Sequence, residues 1–322
     1  MVGGGLAARS HLLDLCCGRR LTPVAVCTAH PGTARQVAGT FGIPRAHHDV
    51  TAMLRAADLD ALVVAVPPRH APHVLRHLTA YSLPVLVDKP GARRAADLAD
   101  ALSGPGRVRL CVGYDRRYQR SARQLRQILR HGVLGAPDQV RCTWTADFTH
   151  RFTASGTYRD RATFADAVLL DTASHVVDLL AHLSLLSPLP RITGADVRRT
   201  TAATGPAFSF TIDATPDTPH IQVTADDGPP SWELVVRGTH GTARLTGHGL
   251  VLDPPRTLPV DAVGTVRPVE DLHRLATGLP PLGATPAEAI ADLTVLDLVR
   301  EYLRRPWLRP RSKAVARPGG AC

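Results

Sequence analysis

Between residues 22 and 113 the apolar positions come as short, nearly unbroken runs separated by stretches of helical period. Pro23–Thr28, Ala61–Val66, Val85–Asp88 and Val108–Gly113 consist almost wholly of Val, Leu, Ala and Cys. Runs that are apolar on both sides fit a parallel sheet covered on both faces. Helical stretches near residues 33–40, 70–81 and 92–103 fall between them at βαβ spacing. The pattern predicts an α/β domain, a doubly wound parallel sheet, over residues 1–115.

The period changes after a stripe of arginines. Gln139–Ala146 alternates as a strand does, residues 167–185 read as one long apolar helix, and Arg191–Arg198, Phe208–Ile212, Ile221–Ala225 and Trp232–Arg237 follow as further strands. Turn residues at 216–219 and 227–230 punctuate them. Clustered strands beside few helices predict an α+β domain with a mainly antiparallel open sheet over residues 116–305. A last helix, Pro286–Arg304 with Thr285 as N-cap, closes it. Residues 306–322 read as a basic, disordered tail.

Length and composition agree with two folded domains: 322 residues, 44% of them apolar and 20% charged. No run approaches the roughly 18 apolar residues of a membrane helix, and no basic, apolar leader is visible, so the expected location is cytoplasmic. The net charge of +10 suggests nucleic acid at first sight. It is unevenly placed, however. Six bases and no acid follow Glu301, and eight arginines stand against Asp115 alone between residues 107 and 130, which leaves the rest slightly acidic. Arg116, Arg120, Arg123, Arg126 and Arg130 fall on one helical stripe and read as a solvated face. The tail offers only Trp307 as a stacking residue. No nucleic-acid partner is expected. Six cysteines without a Cys-x-x-Cys pair read as small buried residues in a reducing compartment, with no metal site.

Chemistry concentrates at three places. Gly3-Gly4-Gly5-Leu6-Ala7-Ala8 fits G-x-G-x-x-(G/A) ahead of a helical stretch, Arg9–Cys17, as a pyrophosphate-binding turn does. Only Met1 and Val2 precede it, too few for a central strand, which predicts a truncated start and exposed apolar neighbours. The next strand ends on Thr28, where NAD-binding turns carry an acid for the ribose hydroxyls, and this tilts the expectation slightly to NADP. Of the 38 basic residues only Lys89 and Lys313 are lysines, and Lys89 lies in Asp88-Lys89-Pro90 at a strand's carboxyl end. An ammonium there is compact and tunable as arginine is not. In the second half Asp171, His175, Asp178 and His182 share one helical stripe. A carboxylate one turn before a histidine suits general acid–base work. The spacing also suits a metal, which the lack of a third ligand set disfavours. The plainer alternative is that Asp178 and His182 are the helix's solvent edge, and for His182 that is the preferred reading.

Together these residues resemble the glucose-fructose oxidoreductase and inositol dehydrogenase family, Gfo/Idh/MocA. The resemblance runs through Val2–Ala8 and His11, Val64–Pro68, Val85–Pro90, Val112–Arg117, Leu169–Asp178 and a Gly-Thr-x-Gly turn in Arg237–Thr242. It implies a Rossmann domain followed by a domain whose open sheet builds a homo-oligomer. It also implies hydride transfer between nicotinamide and a carbinol of a sugar, cyclitol or nucleotide sugar. Gly3, Gly5, Ala8, Thr28, Pro67 and Lys89 would hold NAD(P). Lys89, Asp171 and His175 would be catalytic, with His175 moving the hydroxyl proton. Asp88 for the usual glutamate, Thr28 for the usual acid, and Ala165-Asp166-Ala167 for a glycine triplet depart from the pattern. These departures motivate an alternative, a catalytically silent relative that serves as a sensor or scaffold.

Overall fold

Val2 fills the central position of the first sheet. In the computed structural model, which describes residues 1–18, 20–104, 108–148, 169–187, 189–198, 207–216, 218–255 and 266–304, it bridges in parallel to Cys27 on one side and Val64 on the other. Its amide donates to the Val63 carbonyl and its carbonyl accepts from Ala65, both at 2.8 Å, while Cys27 donates to the Met1 carbonyl at 2.9 Å. The flanking strands β1 (Ala25–Cys27) and β3 (Leu62–Val64) are buried where Val2 lies between them, whereas beyond Met1 a cavity of about 280 Å³, lined by Val24, Ala25, Ala61 and Val63 among others, opens between their starts, so the expected exposure of apolar neighbours is met only there. Met1 and Val2 thus make parallel ladder bonds to both neighbouring strands.

Beyond them lie β2 (Arg45–His47), paired with β1, and β4 (Pro84–Asp88) and β5 (Arg109–Gly113), paired successively with β3, all in parallel. With Val2 as first strand the spatial order is the 3-2-1-4-5-6 of dinucleotide-binding sheets. The helices α1 (Leu6–Cys17), α2 (Pro31–Phe41), α3 (Val50–Ala56), α4 (Ala71–Leu78) and α5 (Ala95–Leu102) intervene. Sequence periodicity misses β2 and α3. Arg45-Ala46-His47 carries no apolar run, being a half-exposed edge strand, and α3 has only two buried residues to mark it.

The arginine stripe breaks at Gln119 (φ −68°, ψ 132°) into α6 (Asp115–Tyr118) and α7 (Arg120–Arg130). It is no uniform solvated face. Arg120 and Arg130 are exposed, Arg123 and Arg126 half-buried, and Arg116 has a side chain only 16% exposed. The break rotates α6 relative to α7, so the 100° stepping that joined them does not hold.

A seven-stranded sheet follows, in the order β12-β11-β10-β6-β9-β8-β7, with only β6–β9 parallel. Its strands are β6 (Pro137–Ala146), β7 (Ile192–Arg198), β8 (Ala207–Ile212), β9 (His220–Asp227), β10 (Ser231–Gly238), β11 (Gly241–Thr246) and β12 (Gly249–Asp253). Alternate residues such as Val140, Cys142, Phe210, Val223, Leu234 and Val236 face the core, where α8 (Ser174–His182) packs. The chain then returns: α9 (Glu270–Ala276) covers β4 and β5, and Ala284 pairs with Val112. The last helix, α10 (Pro286–Arg304), lies against α5, α8 and β7. Thr285 and Glu288 form its reciprocal capping box, as the N-cap expectation requires. No helix among the described residues is long and apolar enough to cross a membrane. The Ala165–Ala167 triplet, residues 306–322 and Cys322 lie outside the described residues.

Candidate active site

Gly3 leaves the central strand position with φ +123°, and a Cβ there would lie 2.1 Å from the Ala65 carbonyl oxygen, so only glycine fits. At Gly4 a Cβ would come within 3.0 Å of Thr28 Cγ2, whereas at Gly5 it would meet nothing within 4 Å. Gly5 is the N-cap of α1 and places no side chain over the first amides. Open amides and the positive end of a twelve-residue helix form a cradle for a pyrophosphate. Ala8 is fully buried beneath this turn. Thr28 stands beside Gly4 with its hydroxyl donating to the His30 carbonyl at 2.8 Å. Pro67 is exposed just past the carboxyl end of β3. These residues fit a dinucleotide: a glycine turn, an open helix start and a small side chain at the second strand's end lie on one sheet edge.

Lys89 follows β4 on that same edge. His11, reaching from α1, sits 3.3 Å from Asp88 Oδ1 and ties the turn to the first helix. Across the gap Asp171 meets the lysine: Nζ donates to Asp171 Oδ1 at 3.0 Å and to its backbone carbonyl at 2.9 Å. Both side chains are nearly buried, 14% and 9% exposed. The rare lysine and the helix carboxylate, 82 residues apart, are therefore brought together.

The link between Asp171 and His175 differs from the expected α-helical turn. Leu169–Ala173 is a single π-helical turn that leads into α8, so Asp171 and His175 are not stepped at α-helical spacing. The carboxylate at the histidine comes instead from the other half of the chain. Asp115 Oδ1 lies 3.0 Å from His175 Nδ1, at ion-pair distance though off the alignment of a good hydrogen bond. Burial, then the Lys89 charge, pushes the His175 pKa down, and Asp115 opposes the shift, so the ring is neutral at neutral pH. Burial alone would raise Asp115, yet His175, Arg116 and Lys89 hold it well below the usual carboxylate range. Its side chain is still 53% exposed, so water screens part of that pull.

An aromatic wall completes the site. Trp144 on β6 and Trp232 on β10 are directly paired across the strands and stack at 6.1 Å. His175 stacks on Trp144 at 5.9 Å and 13° between planes. The Arg116 guanidinium lies 5.1 Å from the centroid of Trp144 and 4.8 Å from that of Trp232, with its buried Nε unpartnered. The phenol of Tyr114, fully buried, also lacks a partner. Asp115, Arg116, Trp144 and Trp232 are absent from the sequence-based set. Scarcity marks three of them, as it marks Lys89: two of the three tryptophans, and Asp115, the lone acid among eight arginines, whereas Arg116 is one of those eight and carries no such signal.

Two further expectations are corrected. Asp178 and His182 are not a solvent edge but buried, because α8 is covered by α10 and by α6, from which Arg117 Nε donates to Asp178 Oδ1 at 2.8 Å. Cys27, Cys111 and Cys142 are buried, but Cys16 and Cys17 are exposed at the end of α1. Among the described residues no cluster of His, Cys, Asp and Glu could hold a metal.

Comparison with known proteins gives a consistent result across both halves. Residues 1–107 match the model of the oxidoreductase family with an NAD-binding Rossmann fold, and residues 122–244 match the Gfo/Idh/MocA C-terminal domain. Over 95% of this chain, and 94% of the relative, there is 26% identity with the rhizopine catabolism protein MocA of Rhizobium meliloti. Inositol 2-dehydrogenase 3 of Saccharopolyspora erythraea is 30% identical over 57% of this chain and 52% of its own. Among solved structures, the WlbA dehydrogenase from Bordetella pertussis in complex with NADH and UDP-GlcNAcA superposes with a TM-score of 0.76 at 19% identity, over 94% of this chain and 95% of that one. The myo-inositol 2-dehydrogenase from Lactobacillus plantarum gives 0.75 at 18%, over 94% and 96%.

Proposed function

The chain belongs to the Gfo/Idh/MocA oxidoreductase family, and from that premise we propose that it moves a hydride reversibly between nicotinamide and a secondary hydroxyl or ketone of a sugar, cyclitol or nucleotide-sugar substrate. The observation that carries the reading is the Lys89–Asp171 contact, which sets a compact cation from the cofactor edge of the first sheet against the helix that bears His175. When bound, the nicotinamide supplies the hydride acceptor or donor. Gly3, Gly5 and Ala8 would hold its pyrophosphate, with Thr28 at the ribose and Pro67 and Lys89 towards the ring.

In the oxidation direction the substrate hydroxyl gives its proton to the neutral His175, at the ring nitrogen that does not face Asp115. The oxygen's growing negative charge is met by Lys89, which Asp171 holds in place. Carbon–hydrogen bonding electrons leave as hydride and the carbonyl forms, so proton and electron pair are both accounted for. Asp115 acts as a positioning residue for the imidazole. Trp144 and Trp232 hold the Arg116 guanidinium over their rings, where it offers a donor to a substrate hydroxyl.

The direct test is stereospecific transfer of deuterium from 4-deuterated reduced cofactor to a panel of inososes, keto-sugars and nucleotide sugars. Lys89→Ala should lower turnover about 10²–10⁴-fold with the fold unchanged by circular dichroism. Cofactor binding without transfer to any panel member would overturn the reading in favour of a silent, nucleotide-binding relative. For the cofactor, we propose a slight preference for NADP, because a threonine and not a carboxylate ends β1 beside the glycine turn.

A further inference from the structure

A cavity rimmed by charged side chains lies away from Lys89, Asp171 and His175. It has a volume of about 360 Å³ between α7, the end of α8 and the loop before α10, and Arg117, Arg123, Arg126, Arg130, His182 and Glu288 are among the residues that line it. Four guanidiniums face one carboxylate. The Glu288 oxygens are already engaged, Oε1 by Arg117 at 3.2 Å and Oε2 by the amide and hydroxyl of Thr285 at 2.8 and 2.9 Å.

Buried polar groups are left over on the wall. His182 is 5% exposed, and neither ring nitrogen has a partner. Arg126 Nε, Arg117 Nη2 and Gln127 Oε1 are likewise buried without one. Native interiors rarely leave such groups unmet, and a cavity that gathers several of them is shaped for an occupant. Burial and the charges of Arg117, Arg126 and Arg123 push the His182 pKa down to about 3, so the ring stays neutral, its ionisation opposed by a field that is positive on balance. A multivalent oxyanion that keeps one proton, such as hydrogen phosphate, can accept from the arginine N–H groups and the His182 N–H and donate its hydroxyl to an orphaned acceptor such as Gln127 Oε1. It accepts from several N–H groups at once, forks well with guanidinium, and offsets the repulsion among the arginines. The cavity also has room for more than a bare ion.

We propose that this cavity binds a phosphate group, as inorganic phosphate or a small phosphomonoester, at a site separate from the active site. Arg126, Arg130 and His182 are its recognition residues. The site adjoins the catalytic machinery through one helix, since His182 lies seven residues beyond His175 on α8, and Arg117, on the cavity wall, neighbours Arg116 and bonds Asp178 between the two histidines.

Titration of the full chain with inorganic phosphate at constant ionic strength, with chloride as the balancing anion, reads the site directly. Saturable binding by calorimetry is expected. The double variant Arg126→Gln, Arg130→Gln should weaken it about tenfold or more. Arg76→Gln, which removes an exposed arginine paired with Asp100 elsewhere, should leave it unchanged. In the unmodified chain, phosphate should move the His182 ring resonances and raise the pKa at which they titrate. Absence of saturable binding, equal binding by the double variant, or unmoved His182 resonances would each overturn the proposal. None of these readouts requires hydride transfer, so the result stands apart from the proposed activity.

Discussion

Asp115 lies 3.0 Å from Nδ1 of His175 and comes from outside its helix, and this changes what a pH profile should show. With burial and Lys89 pressing the histidine's pKa down and Asp115 pressing it up, Asp115→Asn removes the only raising influence among these and lets the pKa fall further. The acidic limb of kcat/KM for alcohol oxidation should therefore move to lower pH in the variant, while kcat falls because the ring is no longer oriented. A limb that moves to higher pH, or stays in place, would show that Asp115 does not act through His175. At the cofactor edge, Thr28→Asp places a carboxylate where a 2′-phosphate would sit. NADPH affinity should fall about tenfold or more while NADH affinity holds, as fluorescence titration of both cofactors would read. Lys89, His175 and Thr28 were legible as candidates because their residue types are unusual for their neighbourhoods. The Asp115–His175 contact was not, because it joins residues 60 apart that no local period relates.

At the scale of elements, α6 and α8 are joined through a buried cluster. Arg117 faces Asp178, Glu288 and Asp292, so three carboxyls share one guanidinium. Burial raises Asp178 and Asp292, and Arg117 draws both back down. Removing that guanidinium strands buried carboxyls, which costs about 3–5 kcal/mol where they must ionise. The sign follows from linkage. An acid whose folded pKa is raised above its unfolded value loses stability as pH rises, so Arg117→Ala should be much less stable than the parent at pH 8 and closer to it at pH 5. Urea unfolding at the two pH values checks this; a deficit that is equal at both would refute the cluster's role. Periodicity predicted α8 but set His182, and in the plainer alternative Asp178, on its solvent side, since an apolar stripe says which face is buried and not how many neighbours cover the helix. The π-helical turn at Leu169–Ala173 was equally hidden, because one widened turn leaves no mark on a sequence of Leu, Leu, Asp, Thr and Ala.

Across the whole molecule, the segment after β12 binds the two sheets into one body. Asp297 on α10 accepts from Arg94 Nη1 and the Ala95 amide at the start of α5, while Tyr302 donates to the Thr193 carbonyl on β7. A helix that packs on both halves couples their unfolding. Tryptophan fluorescence, which reports Trp144 and Trp232 in the second sheet, should therefore follow the same urea transition as far-UV circular dichroism. Two separated midpoints would mean that the halves unfold independently. What the chain's order of residues determined by itself was the succession of a parallel and a mainly antiparallel sheet, the glycine turn, and the lysine and histidine of the candidate site. Each of these rests on local period, backbone freedom or residue type, all readable within about one element. Tertiary structure alone decided that Val2 bridges both neighbours at the centre of the first sheet, that Asp115 lies against His175, that two tryptophans from different strands stack, and that four arginines and a histidine line one cavity. Such contacts depend on pairing register and crossover geometry between distant segments, which no local pattern encodes.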